Sequence, residues 1–345
     1  MMSRSSSDPQ KRTLETVIVP FIRPIEPWLY DPSITEVMLL AGGRHASVVR
    51  NGRTHPQPDV TIPEPSLLVA IKNIGHSCGT DVNEARPLLD ARLEDGSRVA
   101  AMIRPVAVDG PALTIRRHPY PYTVPELVAN GTLTSAIADD LKAAVHARQN
   151  ILVSGGTDSG KTTLLNALAA YLPADDRIIL IEDTSEIAIP HEQVLRCEAQ
   201  RAQPAEHPSD VRPEVSIADL VRASLRHRPD RLIVGEVRGL EAYDLLQALN
   251  TGHAGSLSTI HASSATQALT RFAHCVLTAR TGLPYRAIRE AIGQAIQIVV
   301  HVARDPTGIR RVTELVNVGA YSRRDDRFDL QILHVPSPHA GQAER

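Results

Sequence analysis

A chain of 345 residues is longer than a single hydrophobic core serves efficiently, so two domains are expected. Hydrophobic residues at 42% and charged residues at 22% exclude a disordered chain and a membrane-embedded one. The formal net charge of −2 offers no general attraction for a polyanion, so direct nucleic-acid binding is not expected. Cys78, Cys197 and Cys275 stand far apart with no CxxC pair, which argues against zinc and against a disulfide framework, and fits a reducing cytoplasm. Neither a signal peptide nor a run of about 18 apolar residues occurs, so any membrane contact is expected to be peripheral.

In chain order, residues 1–12 read as a polar tail, and residues 13–118 as an α+β domain. Its strand-like runs are Glu36–Leu40, Ala46–Val49, Val99–Ile103 and Ala112–Arg116, broken at the turn dipeptides Asn51-Gly52, Asp95-Gly96 and Asp109-Gly110. His118 to Pro125 holds three prolines in eight residues, and residues 119–130 are read as a linker. From 131 to 335, apolar strands alternate with helical stretches: Ala136–Ala147, Ile151–Val153, Thr162–Leu172, Ile178–Ile181, Ile217–Leu225, Leu232–Val234, Leu240–Asn250 and Leu257–Ile260. That alternation predicts an α/β domain with a mostly parallel sheet covered on both faces. A helix near Tyr285–Gln294 and strands at Ile296–Val302 and Arg311–Val318 complete it, and residues 336–345 read as a second tail.

Gly155, Gly156, Thr157, Asp158, Ser159, Gly160, Lys161 and Thr162 satisfy the P-loop pattern GxxxxGK[ST], with Thr163 continuing into a helix-favouring run. The loop follows an apolar strand and precedes a helix, as phosphate binding requires. Backbone N–H groups and the helix N-terminus take the phosphates of ATP, Lys161 reaches the β- and γ-phosphates, and the Thr162 hydroxyl takes a Mg²⁺ position. Asp158 places a carboxylate in this loop. Either its side chain turns harmlessly to solvent from a left-handed backbone, or it repels the triphosphate, in which case Asp158→Gly tightens ATP binding.

Glu182 and Glu236 each end an apolar strand, where ligands gather in open α/β sheets. One could organise the Mg²⁺ shell and the other polarise the attacking water; Glu236 is taken for the metal side, partly through water, and solvated strand ends remain the alternative. His253 and His261 flank a third strand, where each could donate to a phosphate oxygen or relay nucleotide state to its neighbour.

These boxes in this order resemble the secretion-ATPase superfamily of type II and type IV secretion, pilus assembly and conjugation: GGTDSGKTTLLNAL its Walker A, IEDTSEI its Asp box, RPDRLIVGEVRG its Glu-bearing Walker B, and TGHAGSLSTIHA its His box. The spacing of the two histidines, and the lack of a four-cysteine insertion, resemble the type IV secretion and conjugation branch, and the compact length its conjugal-transfer members. The family's loop has glycine where this chain has Asp158. The resemblance implies a RecA-like domain behind a smaller N-terminal one, ATP hydrolysis with Mg²⁺, a homo-hexameric ring, and a cytoplasmic location at the inner membrane beside a secretion or conjugation apparatus. It also implies arginines that reach the γ-phosphate, with Arg98 and Arg116 as candidates beside Arg117, and with Arg104 and Arg238 in reserve. Two other readings stay open: a RecA-like DNA translocase or helicase, and a nucleotide-gated structural subunit in which Asp158 weakens hydrolysis.

Overall fold

The computed structural model describes residues 18–31, 33–50, 52–93, 96–117, 122–200, 213–305 and 308–334. Both expected tails, and residues 119–121 of the expected linker, lie outside them. Contacts group the described residues into two units, one ending at 117 and one beginning at 122.

The first unit is an α+β arrangement around a six-stranded antiparallel sheet in the order β3-β2-β1-β6-β5-β4. Its strands are β1 Ile34–Leu40, β2 His45–Arg50, β3 Arg53–Pro56, β4 Leu88–Arg92, β5 Arg98–Met102 and β6 Ala112–Arg116. Helix α1 (Glu26–Tyr30) precedes β1, and α2 (Glu64–Ser77) follows β3. Leu67, Ala70, Ile71 and Ile74 of α2 recur at helical spacing and are buried, so one apolar stripe seats the helix on the core with Val37, Leu39, Val99, Leu113 and Ile115 of the sheet. Gly52 and Gly96 adopt positive φ in the tight β2–β3 and β4–β5 turns, which suits the turn dipeptides.

The second unit carries an eight-stranded sheet in the order β14-β13-β12-β7-β11-β10-β8-β9. Strands β7 (Ile151–Gly155), β8 (Ile178–Glu182), β9 (Val194–Glu198), β10 (Arg231–Val237), β11 (Leu257–His261) and β12 (Ile298–Arg304) run parallel. Strands β13 (Arg310–Ser322) and β14 (Arg327–His334) fold back antiparallel at one edge. The buried strand residues divide by parity. Ile151, Val153, Ile178 and Leu180 pack with helices α3 (Val124–Ala129), α4 (Ser135–His146) and α5 (Lys161–Ala169). Leu152, Ile179, Ile181 and Val234 pack on the other face with α6 (Ile217–Ser224), α7 (Glu241–Asn250), α8 (Ala265–Thr278) and α9 (Tyr285–Ala295). The period of two therefore builds one core per face.

The linker expected over 119–130 contains a helix. Thr123 accepts from the Glu126 N–H at 3.4 Å while the Glu126 carboxylate accepts from the Thr123 N–H at 2.7 Å, a closed capping box. Pro125 falls in the first helical turn, where a missing N–H costs nothing, so proline richness here starts a helix instead of preventing one.

At the N-terminal ends of the parallel strands, Arg231 is wholly buried. Its guanidinium pairs with Asp176 and donates to Val145 O at 2.9 Å and to Gly255 O at 3.1 Å, while Arg148 reaches the other Asp176 oxygen at 3.0 Å. Asp176→Ala would leave a guanidinium with 1% side-chain exposure uncompensated. We expect it to lower unfolding free energy by about 3–5 kcal/mol, read as a shift of the urea midpoint at constant slope; a loss below about 1 kcal/mol would show the network to be dispensable.

Candidate functional site

Strand β7 delivers its chain into the loop that opens α5. Gly155 is needed at the hand-over, because a Cβ there would stand 2.3 Å from Val302 O and 2.4 Å from Ser159 Oγ. Gly160 turns the chain into the helix at φ +100°, a conformation costly to any side chain. Lys161 lies over the loop, donating from Nζ to Gly156 O at 2.8 Å and standing 3.5 Å from both ring nitrogens of His261. Burial pushes its ammonium below the usual lysine range; the carboxylates of Glu236 and Asp158 oppose that shift, and the Arg238 charge adds to it.

The parallel register explains why these groups meet. His261 pairs with Gly155 across β11 and β7, and β10 lies beside β11, so His261 and Glu236 arrive at the same end of the sheet as the loop. His261 Nε2 lies 2.9 Å from Glu236 Oε1, but the approach is off the hydrogen-bonding direction, and Oε1 is a buried carboxylate oxygen with no hydrogen bond among the described residues. Glu236 Oε2 accepts from Arg238 at 2.6 Å, which holds that guanidinium pKa above its usual value. Burial, then the Lys161 charge, lowers the His261 pKa and favours the neutral imidazole.

Glu182 is adjacent: its Cγ lies 3.0 Å from where a Cβ of Gly235 would stand. It is buried, and its Oε1 accepts from the backbone N–H groups of Glu186 at 2.9 Å and Ile187 at 3.0 Å, so that oxygen closes the loop after β8. His253 is not brought to the pocket. It precedes β11 and faces Ala248 O at 3.2 Å, while Ser256 Oγ donates to its carbonyl at 2.8 Å. A strand advances about 3.3 Å per residue, so the intervening β11 carries the two histidines to opposite ends of the sheet.

Arg98 and Arg116 belong to the first unit, where they face each other across β5 and β6, and Arg116 Nε lies 3.6 Å from Glu36 Oε1. Arg117 is committed locally, donating to Asp31 O and to Ile34 O, the latter at 3.4 Å. Arg104 stands 3.6 Å from Glu64.

Asp158 takes a left-handed backbone at φ +60°, and its side chain keeps 48% exposure while its carboxylate is ion-paired. Arg304 donates to Asp158 Oδ2 at 2.7 Å and Arg310 to Oδ1 at 3.3 Å, so the repulsion expected from this charge is offset by two guanidinia. Sequence reasoning missed these arginines, since it takes the pairing of β12 with β7 and of β13 with β12 to bring them to the loop. It also missed His301 of β12, whose Nδ1 lies 2.9 Å from Ser154 Oγ just ahead of the loop; a histidine inside an apolar strand was the available signal.

Burial lowers the His301 pKa. Below the unfolded-state value of about 6.5, the unfolded chain binds protons that folded His301 resists, so this stability contribution is present above that pH and lost on acidification. His301→Asn is expected to shrink the stability difference between pH 7.5 and pH 5.5; an unchanged difference would remove His301 as its source.

A magnesium nucleotide fits the donor set. Among the described residues, Ser159 Oγ and Glu236 Oε1 are buried polar atoms with no hydrogen-bond partner, and a Cβ added to Gly156 would meet nothing within 4 Å. Phosphate oxygens and metal-bound water are partners of the kind these groups lack.

The profile of the family described as "Type II/IV secretion system protein" matches residues 70–315. The conjugal transfer protein TrbB of Rhizobium radiobacter is 35% identical over 320 residues, covering 92% of this chain and 90% of that protein. The type IV secretion system protein PtlH of Bordetella pertussis is 33% identical over 316 residues, covering 82% of this chain and 89% of its own. Among solved structures, the Legionella pneumophila ATPase DotB superposes with a TM-score of 0.63 at 18% identity, covering 89% of this chain and 82% of that one, a likeness of fold.

Proposed function

The chain belongs to the type II/IV secretion system protein family, and from that premise we propose that it is the ATP-hydrolysing motor of a conjugation or type IV secretion apparatus. The observation that carries this reading is the meeting of Lys161, Glu236 and His261 at one end of β7, β10 and β11 around the Gly155–Thr162 loop.

Each residue has a role in that reading. Backbone N–H groups of the loop and the α5 N-terminus bind the phosphates, and Lys161 leaves Gly156 O to stand against the β- and γ-phosphates. Glu236, hydrogen-bonded by Arg238 through one oxygen, uses the other to orient the attacking water and accept its proton. Neutral His261 donates to the γ-phosphate side without adding charge. Glu182 supports the pocket by fixing the chain after β8. The Thr162 hydroxyl and, through water, Glu236 would hold Mg²⁺, which supplies charge neutralisation to the phosphates. Arg98 and Arg116 serve as the phosphate-reaching arginines of the first unit, by the family resemblance.

The working assembly in this reading is a homo-hexamer, cytoplasmic and peripheral at the inner membrane, acting on inner-membrane components of the apparatus. No helix among the described residues is long and apolar enough to cross a membrane. The test is ATP turnover by the purified chain, with mass determination with and without Mg-ATP. Turnover with a sixfold mass supports the reading; no turnover at any mass defeats it.

A further inference from the structure

The phosphate loop is gripped along its length by one hairpin. At its start, Gly155 is pressed against Val302 O of β12. In its middle, Asp158 receives four contacts from two arginines: Arg304 to its carbonyl at 3.2 Å and to Oδ2 at 2.7 Å, Arg310 Nε to its carbonyl at 3.0 Å and Arg310 to Oδ1 at 3.3 Å. At its end, the Arg310 stem crosses Gly160, its Cδ 3.1 Å from where a Cβ would be. A non-glycine residue in the left-handed region persists where its surroundings over-determine it, and here both its carbonyl and its carboxylate are held.

We propose that Arg304 and Arg310 are positioning residues for the phosphate-binding loop, acting through Asp158, so that the β12–β13 hairpin sets the loop's shape for nucleotide. The inference rests on the loop being the nucleotide site. Asp158 is then the fixed point by which the hairpin holds the loop, and replacing it with the family's glycine loosens nucleotide binding, the reverse of what a bare repulsive charge would do.

The test measures binding of magnesium with a non-hydrolysable ATP analogue, and steady-state turnover, on the full chain. Asp158→Gly and the double variant Arg304→Gln/Arg310→Gln are each expected to raise Kd by about tenfold, with kcat at saturation within about threefold of the parent. Combining all three changes should raise Kd no more than about twofold beyond either alone, because each breaks the same linkage. Asp158→Asn keeps the left-handed backbone and removes the charge; a tenfold rise there with an unchanged melting temperature supports the ion pairs themselves, and it serves alone if the double variant does not fold. Fully multiplicative effects, or tighter binding by Asp158→Gly with the arginine variants unaffected, would overturn the proposal. If the parent chain binds no nucleotide and Lys161→Ala behaves identically, the nucleotide reading is what fails.

Discussion

Lys161→Ala is expected to lower kcat/KM for ATP by about a thousandfold or more, while leaving the folded state intact. Among the described residues the ammonium's one hydrogen bond to a protein carbonyl is to Gly156 O, and the side chain is held off bulk water beside His261, so its removal disturbs few polar contacts. The electrostatic loss is large because the charge acts in a partly desolvated pocket, where burial already strains the protonated form. Alanine also removes a stem that helps cover the loop, so Lys161→Met separates charge from volume and should fail equally. A coupled phosphate-release assay decides the matter, together with a melting curve showing the variant folded. Activity within tenfold of the parent would mean that the loop does not hold the reacting phosphates.

Glu236→Gln is expected to reduce kcat by about a hundredfold to ten-thousandfold with nucleotide affinity changed far less. The amide is nearly isosteric, so the position beside His261 and the contact with Arg238 can persist, but it cannot accept a proton from water. Glu182→Gln provides the contrast. Since Glu182 Oε1 accepts two backbone N–H bonds, an amide in its place should show chiefly as lost stability near the loop after β8, with a smaller effect on turnover. Single-turnover hydrolysis beside analogue binding resolves the two. A Glu236→Gln enzyme turning over within threefold of the parent, with Glu182→Gln inactive yet stable, would exchange their roles.

What could be read from the residues depended on how local the determining contacts are. The phosphate loop was legible because strand, glycine turn and helix lie within about twenty residues, each with its own pattern. Glu236 and His261 were legible because parallel strands deliver their C-terminal residues to one edge. His253 lies away from that edge: it precedes β11 and faces Ala248 O at the end of the preceding helix, a contact the motif alone does not show. The helix Val124–Ala129 hid behind prolines that favour a first turn as much as they forbid an interior one. Helix α8, and β9 and β14 at the two sheet edges, escaped notice, the edge strands because their residues are only partly buried and lack a continuous apolar run. The clip on Asp158 was beyond reach, because Arg304 and Arg310 stand 146 and 152 residues away and meet the loop only through strand pairing.

Strand β7 is bonded in register on both flanks, Ile151 to Leu257 on one side and to Ile298 on the other, and so on up to its last residues. A strand stitched on two sides cannot slide without rupturing two ladders together. The phosphate loop therefore springs from a strand whose position both neighbours, β11 and β12, hold fixed.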